Sequence, residues 1–217
     1  GPAGLACWVY GALFQGMAGY TTPLVAQCVG RGERLRVGSI VWQGLYLATA
    51  CGLLLWAASP WAGRVFTFFG HAAPIQAMER SYFRILCAGI LPGMLGAVLG
   101  GFYAGRGDTR PLMMVQLTGV LINGVLDYAL IFGRWGLPRR GIEGAAWATV
   151  AAQVFTAAVL LALLLRRHWR REFGTGRIRL CPALQKLYLR FGIPSGFRML
   201  TEAGAWLMFV LFVGRVD

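Results

Sequence analysis

Apolar residues fill six long stretches of the chain, at positions 5–29, 37–63, 85–105, 112–133, 144–165 and 192–214, and the polar residues gather in the connections between them. A helix needs about 20 residues to cross the hydrocarbon layer, so each stretch predicts a transmembrane helix. Alternation of period two is absent, which argues against a barrel, the other architecture that satisfies the backbone in lipid. The expected fold is an all-α, polytopic membrane helix bundle with six transmembrane helices. None of the stretches has the basic start and cleavage pattern of a secretory signal peptide.

Punctuation within the stretches adds detail. Pro23 predicts a bend near the end of the first helix, and Pro92 and Pro194 interrupt the third and sixth. Gly89, Gly93, Ala97, Gly101 and Gly105 recur every four residues, a ridge of small side chains that lets a second helix approach closely. Phe66, Phe68 and Phe69 suggest a segment lying in the outer interface between the second and third helices. Asp108 or Thr109 can cap the fourth helix, and Pro111 suits its first turn. The long basic connection beginning at Arg166 marks a boundary between bundles.

Composition changes the picture only by exclusion. The chain is 57% hydrophobic and 13% charged, with a mean hydropathy of +0.59, far from a soluble domain. Its net charge of +13 suggests a nucleic-acid partner until the distribution is considered. Arg31, Arg34, Arg36, Arg106, Arg110 and the basic residues from Arg166 to Arg190 lie in alternate connections, thirteen in all, whereas the intervening connections hold six. The positive-inside rule places the richer set in the cytoplasm. Five cysteines show no paired spacing, and the two histidines lie outside the apolar stretches, so neither a metal site nor a disulfide framework is expected.

The chemistry concentrates on the fourth stretch, where Asp127 is the one charge between Pro111 and Gly133. A carboxylate inside a span costs roughly 2.5–3.5 kcal/mol on insertion scales. Gln116, Gly119, Asn123 and Asp127 fall on one helical face, because positions about 3.6 residues apart realign. A polar stripe ending in a carboxylate reads as the wall of a proton or cation pathway; the alternative is a packing stripe with Asp127 satisfied by an arginine. In the sixth stretch Glu202 follows Arg198 by four residues, which leaves two readings open: a second ionisable cavity residue, or an intrahelical ion pair.

Val25-Ala26-Gln27, Gly101-Phe102 with Gly105 to Pro111, Asn123 with Asp127-Tyr128 and Ile131-Phe132-Gly133, and Gly141 to Thr149 resemble, in order and spacing, the multidrug and toxic compound extrusion (MATE) family of the multidrug/oligosaccharidyl-lipid/polysaccharide flippase superfamily. The resemblance implies an incomplete chain carrying the second to seventh of twelve helices in a two-lobe transporter. Residues 1–165 would be N-terminal lobe, 166–191 a cytoplasmic inter-lobe linker, and 192–217 the first helix of the second lobe. It implies a secondary antiporter of the bacterial inner membrane, monomeric and not an enzyme. Such a protein exports cationic or amphipathic drugs or metabolites in exchange for protons or sodium ions, with no cofactor beyond the coupling ion and no nucleic-acid partner. By resemblance Asp127, Asn123 and Thr149 bind the coupling cation, sodium being the one metal ion implied, and Glu202 and Gln116 belong to the cavity. Arg198 beside Glu202 departs from the family pattern. A lipid-linked oligosaccharide or polysaccharide flippase is the alternative, disfavoured by the scarcity of cations in the spans. An integral-membrane enzyme would need clustered acid, base or metal-binding side chains, and a scaffold would leave the Asn123–Asp127 stripe unexplained.

Overall fold

The computed structural model describes residues 2–62 and 73–213, which form helices joined by short turns, with no strand among the described residues. The helices are α1 (Pro2–Gly19), α2 (Thr21–Gly30), α3 (Arg34–Ala62), α4 (Ala73–Gly105), α5 (Arg110–Phe132), α6 (Ile142–Leu164), α7 (Arg167–Phe173) and α8 (Pro182–Val213). Four of them, α3, α4, α5 and α6, are long and apolar enough to cross a membrane. The first expected span corresponds to α1 and α2, and the sixth to the second half of α8. The aromatic segment around Phe66, Phe68 and Phe69 lies outside the described residues.

The break between α1 and α2 follows from Pro23. Proline has no N–H to return to the carbonyl four residues earlier, and its ring crowds that turn. The chain yields at Tyr20, whose N–H bonds Met17 O instead (3.2 Å), and helix resumes at Thr21.

Two helices begin earlier than the hydropathy pattern suggested. α4 starts at Ala73, and its added turns are held by Phe83, which packs with Ala3, Cys7 and Cys87 and meets the Tyr10 ring at 5.7 Å. α8 starts at Pro182, ten residues before the apolar stretch, because Tyr188 is wholly buried there and donates a hydrogen bond to Thr21 Oγ1 (3.0 Å). α8 then runs along α1. Neither extension has a continuous apolar sequence; tertiary packing decides both.

The small-residue ridge of α4 serves close packing at one end. A Cβ at Gly101 would sit 2.8 Å from Thr21 Cβ, and one at Gly105 would sit 2.6 Å from Thr22 O, so α2 and α4 touch through glycine. The main core gathers beside this contact, at the basic end of the bundle, from Val25 (α2), Val37 and Val41 (α3), Val98 and Phe102 (α4), Leu160 and Leu164 (α6), and Tyr188 (α8).

The segment between α6 and α8 is fastened to this core rather than hanging free. Gln43 of α3 is fully buried and uses both ends of its amide. Its Nε2 donates to Ser39 O (3.2 Å) and Arg179 O (2.8 Å), while its Oε1 accepts from Cys181 N (3.1 Å) and Gln185 Nε2 (3.3 Å). Trp42 Nε1 donates to Thr175 O (2.8 Å), and the buried Thr175 hydroxyl donates to Leu164 O (3.0 Å). Gly174, at φ +64°, packs so tightly on α3 that a Cβ on Gly38 would lie 2.4 Å from its carbonyl oxygen.

Arg106 fastens α7. Its guanidinium carbon lies 3.8 Å from the centre of the Trp169 ring, 4.8 Å from Phe102, 4.9 Å from Tyr103 and 5.7 Å from Phe173. Burial pulls its pKa below the ordinary arginine value, and Asp108, 2.9 Å away, pulls the other way. Arginine retains its charge through such shifts. Asp108 is thereby engaged by Arg106, and Thr109 makes no side-chain cap, so the expected capping of α5 gives way to this ion pair; Pro111 does sit in the first turn.

Candidate functional site

α5 and α6 form an antiparallel pair that positions the polar stripe. They approach closely at two points: a Cβ on Gly119 would lie 2.7 Å from Thr156 Oγ1, and one on Gly144 would lie 2.8 Å from the Leu130 carbonyl. Gly133, in the left-handed region at φ +69°, ends α5 by directing its N–H to Ala129 O. The pairing turns the Gln116–Gly119–Asn123 face of α5 toward α6 and leaves the opposite face, including Met114, Leu117 and Leu121, exposed.

The stripe borders a cavity of about 380 Å³ between α1, α4, α5 and α6. Gln116 and Asn123 line it from α5, Thr149, Gln153 and Thr156 from α6, and Gln15 from α1. The glycine ridge of α4 forms the fourth wall at Gly93, Gly96 and Ala97, where the absence of bulk leaves the room that the amides surround. The structure therefore brings together Gln116, Asn123 and Thr149 from the sequence-derived set. Asp127 lies one turn beyond Asn123 on the same helix, outside the cavity lining.

Hydrogen bonding separates these residues by role. Thr149 Oγ1 donates to Ala145 O (3.0 Å), which leaves its oxygen lone pairs to accept or ligate. Asn123 Nδ2, Asp127 Oδ1 and Gln153 Oε1 are enclosed and have no hydrogen-bond partner among the described residues. An enclosed polar atom without a partner costs about 1–3 kcal/mol, more when charged; Asn123 and Gln153 line the cavity from α5 and α6, and Asp127 lies one turn beyond Asn123. An ionised carboxylate oxygen and a hydroxyl oxygen are hard donors suited to sodium, and the carboxylate alone suits a proton. No arginine reaches Asp127 in an ion pair among the described residues.

Glu202 is exposed on α8 and does not line this cavity. Arg198 makes no ion pair with it among the described residues; instead Arg198 borders a separate cavity of about 480 Å³ with Tyr20 and Ser195. Gln15 borders both of these cavities, and together with Gln153 it also walls a third, of about 270 Å³, toward Cys7 and Trp8. Sequence reasoning missed Gln15, Gln153 and Thr156. The α6 set was visible in principle, since Thr149, Gln153 and Thr156 share one helical face at i, i+4 and i+7, as the α5 stripe does at i, i+3, i+7 and i+11. Gln15 gave no such signal, being an isolated amide on α1. No group of three or more side chains suited to a metal site occurs among the described residues.

Comparison with known proteins matches residues 5–129 to the MatE family model. The chain belongs to the MatE family. Among its relatives, a probable multidrug resistance protein NorM of Thermotoga maritima is 30% identical over 93% of this chain and 44% of its own length. A probable NorM of Rhizobium meliloti is 28% identical over 98% of this chain and 46% of its own. The chain thus spans about half the length of the curated relatives it matches. Among solved structures, a MATE protein in complex with MaD5 superposes with a TM-score of 0.80 at 23% identity, covering 94% of this chain and 47% of that one. An outward-facing multidrug resistance MATE transporter gives 0.78 at 23% identity, over 92% and 43%. The MatE bundle is therefore the fold, and the membrane its setting.

Proposed function

We propose that this chain forms the larger part of one lobe of a secondary antiporter that exports cationic or amphipathic compounds in exchange for protons or sodium ions across the bacterial inner membrane. The observation that carries the reading is the unpartnered Asp127 Oδ1 beside Asn123, at the edge of a cavity walled by amides and hydroxyls. The printed names of the relatives, multidrug resistance proteins, agree with it.

Asp127 takes the coupling cation, Asn123 and Thr149 supply neutral oxygens to it, and Gln116 extends the polar wall. Binding a proton or sodium ion removes the cost of a bare buried charge and stabilises one packing of α5 on its neighbours. Substrate favours the other packing. Coupling needs such a difference in affinity between two states, because a ligand that binds both equally shifts nothing. The cavity lining holds no arginine or lysine, so it offers nothing to a pyrophosphate-linked lipid, which disfavours the flippase alternative.

The test uses the full-length transporter in proteoliposomes. Asp127→Asn keeps the shape and removes the charge, so the protein should fold and bind substrate while gradient-driven export is lost. Imposing proton and sodium gradients separately on the wild type identifies the ion. Export by Asp127→Asn at the wild-type rate under the same gradient would make the site structural and overturn the reading.

A further inference from the structure

Away from the amide-lined cavity, the outer face of the bundle carries a groove of about 950 Å³ between α3, α4 and α6. Its lining is apolar almost throughout: Leu45 and Ala50 from α3, Leu91 and Leu95 from α4, Val154 and Leu161 from α6. Two of the groove's polar groups are already engaged, since Thr49 Oγ1 donates to Leu45 O (2.8 Å) and Trp42 Nε1 donates to Thr175 O. From Trp42 to Ala50 the groove extends along roughly 12 Å of α3, at 1.5 Å per residue. Its volume is that of a ligand site, typically about 300–1,000 Å³.

One end of the groove differs from the rest. The residue that closes it there is Leu180, the last of Arg177-Ile178-Arg179-Leu180, in which two cations alternate with two exposed apolar side chains. This segment is rigidly placed, because Gln43 holds the Arg179 carbonyl and the Cys181 N–H. Between Gly174 and Cys181 there is no acidic residue to neutralise Arg177 and Arg179, and both are exposed. Trp42 and Tyr46, with ring centres 6.0 Å apart, stand at the same end, where aromatic residues favour the boundary between hydrocarbon and headgroups.

We propose that this groove binds one acyl chain of an anionic phospholipid, with its phosphate held by Arg177 and Arg179. An apolar trough leading to a fixed pair of unneutralised cations is complementary to a chain joined to a phosphate. The basic pair selects the headgroup charge, because each such residue near a membrane surface favours anionic lipid, and the trough fixes the chain. The assignment is independent of the Asp127 reading.

Trp42 reports on the groove directly. The full-length transporter is reconstituted in phosphatidylcholine with rising fractions of phosphatidylglycerol carrying brominated acyl chains, and Trp42 quenching is obtained by difference from Trp42→Phe. Saturable quenching is expected at a mole fraction on the order of tenfold lower than brominated phosphatidylcholine requires. Arg177→Gln with Arg179→Gln should erase that preference, and Ala50→Phe, which fills the trough and keeps both cations, should abolish the saturable component. Should Trp42→Phe fail to fold, phosphatidylglycerol retained by the wild type and by the double variant, counted by native mass spectrometry, gives the same comparison. Equal quenching by the two lipids, or an unaltered preference in the double variant, overturns the proposal. So does displacement of the lipid by an apolar efflux substrate at unchanged headgroup preference, which would assign the groove to substrate.

Discussion

Gln43 and Gln153 are the same side chain in two opposite situations. Gln43 on α3 is fully buried, and besides a bond to Ser39 O on its own helix its amide clamps the segment that follows α6 through Arg179, Cys181 and Gln185. Gln153 on α6 faces a cavity, and its enclosed Oε1 has no partner. The contrast extends to their surroundings: the clamp region has Thr175 and Tyr188 buried and bonded, whereas the cavity wall has Asn123 Nδ2 enclosed and unbonded, as is Asp127 Oδ1 one turn beyond it. A satisfied buried amide specifies a structure; Gln153 instead leaves an acceptor open at the cavity.

That contrast can be broken most forcefully at Gln43. Gln43→Leu strands the Arg179 carbonyl and the Cys181 N–H and leaves Gln185 only its bond to the residue-43 carbonyl, so the full-length protein should lose about 2–4 kcal/mol of stability. Thermal unfolding in detergent reads this, and export per folded molecule should stay near normal. An unchanged midpoint would show that the clamp contributes nothing. Gly38→Ala should act in the same direction by about 1–3 kcal/mol, since the new methyl group meets backbone at Gly174 that has no rotamer with which to yield. Gln153→Leu should behave in the opposite way: folding within about 1 kcal/mol of wild type, but export reduced on the order of tenfold. If Gln153→Leu destabilises as Gln43→Leu does, the cavity amides are structural after all. Arg106→Gln removes the cation from its ring of aromatics and should cost about 0.5–2 kcal/mol, measured as loosened proteolytic protection of α7. The smallest effect is expected at Arg198 and Glu202. With no ion pair between them, Arg198→Gln and Glu202→Gln should show a coupling near zero in a double-mutant cycle of stability.

The difference between the two regions also explains what the sequence made legible. The α5 stripe was readable because one helix carries its own period, and Asn123 and Asp127 stand out against apolar neighbours. The membrane helices were readable for the same reason, each as a local excess of apolar residues. The clamp was not, because Gln43 and Arg179 lie 136 residues apart and neither is unusual where it stands. The early starts of α4 and α8 escaped as well, since Phe83 and Tyr188 extend those helices by contacts with α1 and α2 rather than by local hydropathy. Glu202, conspicuous in sequence as a charge in an apolar stretch, is exposed on α8 and lies away from the amide-lined cavity.

The contact between Gly38 and Gly174 carries a practical consequence for protein engineering. A chimera cut in the basic connection after α6 would treat that connection as a spacer whose length and sequence are free. Here residues 174–181 fit α3 as closely as a key fits its ward, and the mating surface lies more than a hundred positions upstream. A donor segment grafted at Leu165 would arrive without the Gly38, Trp42 and Gln43 that receive it. A seam past Tyr188, inside α8, keeps the clamp and the Tyr188–Thr21 bond within one parent, provided the donor preserves the Ser195–Gly16 contact with α1.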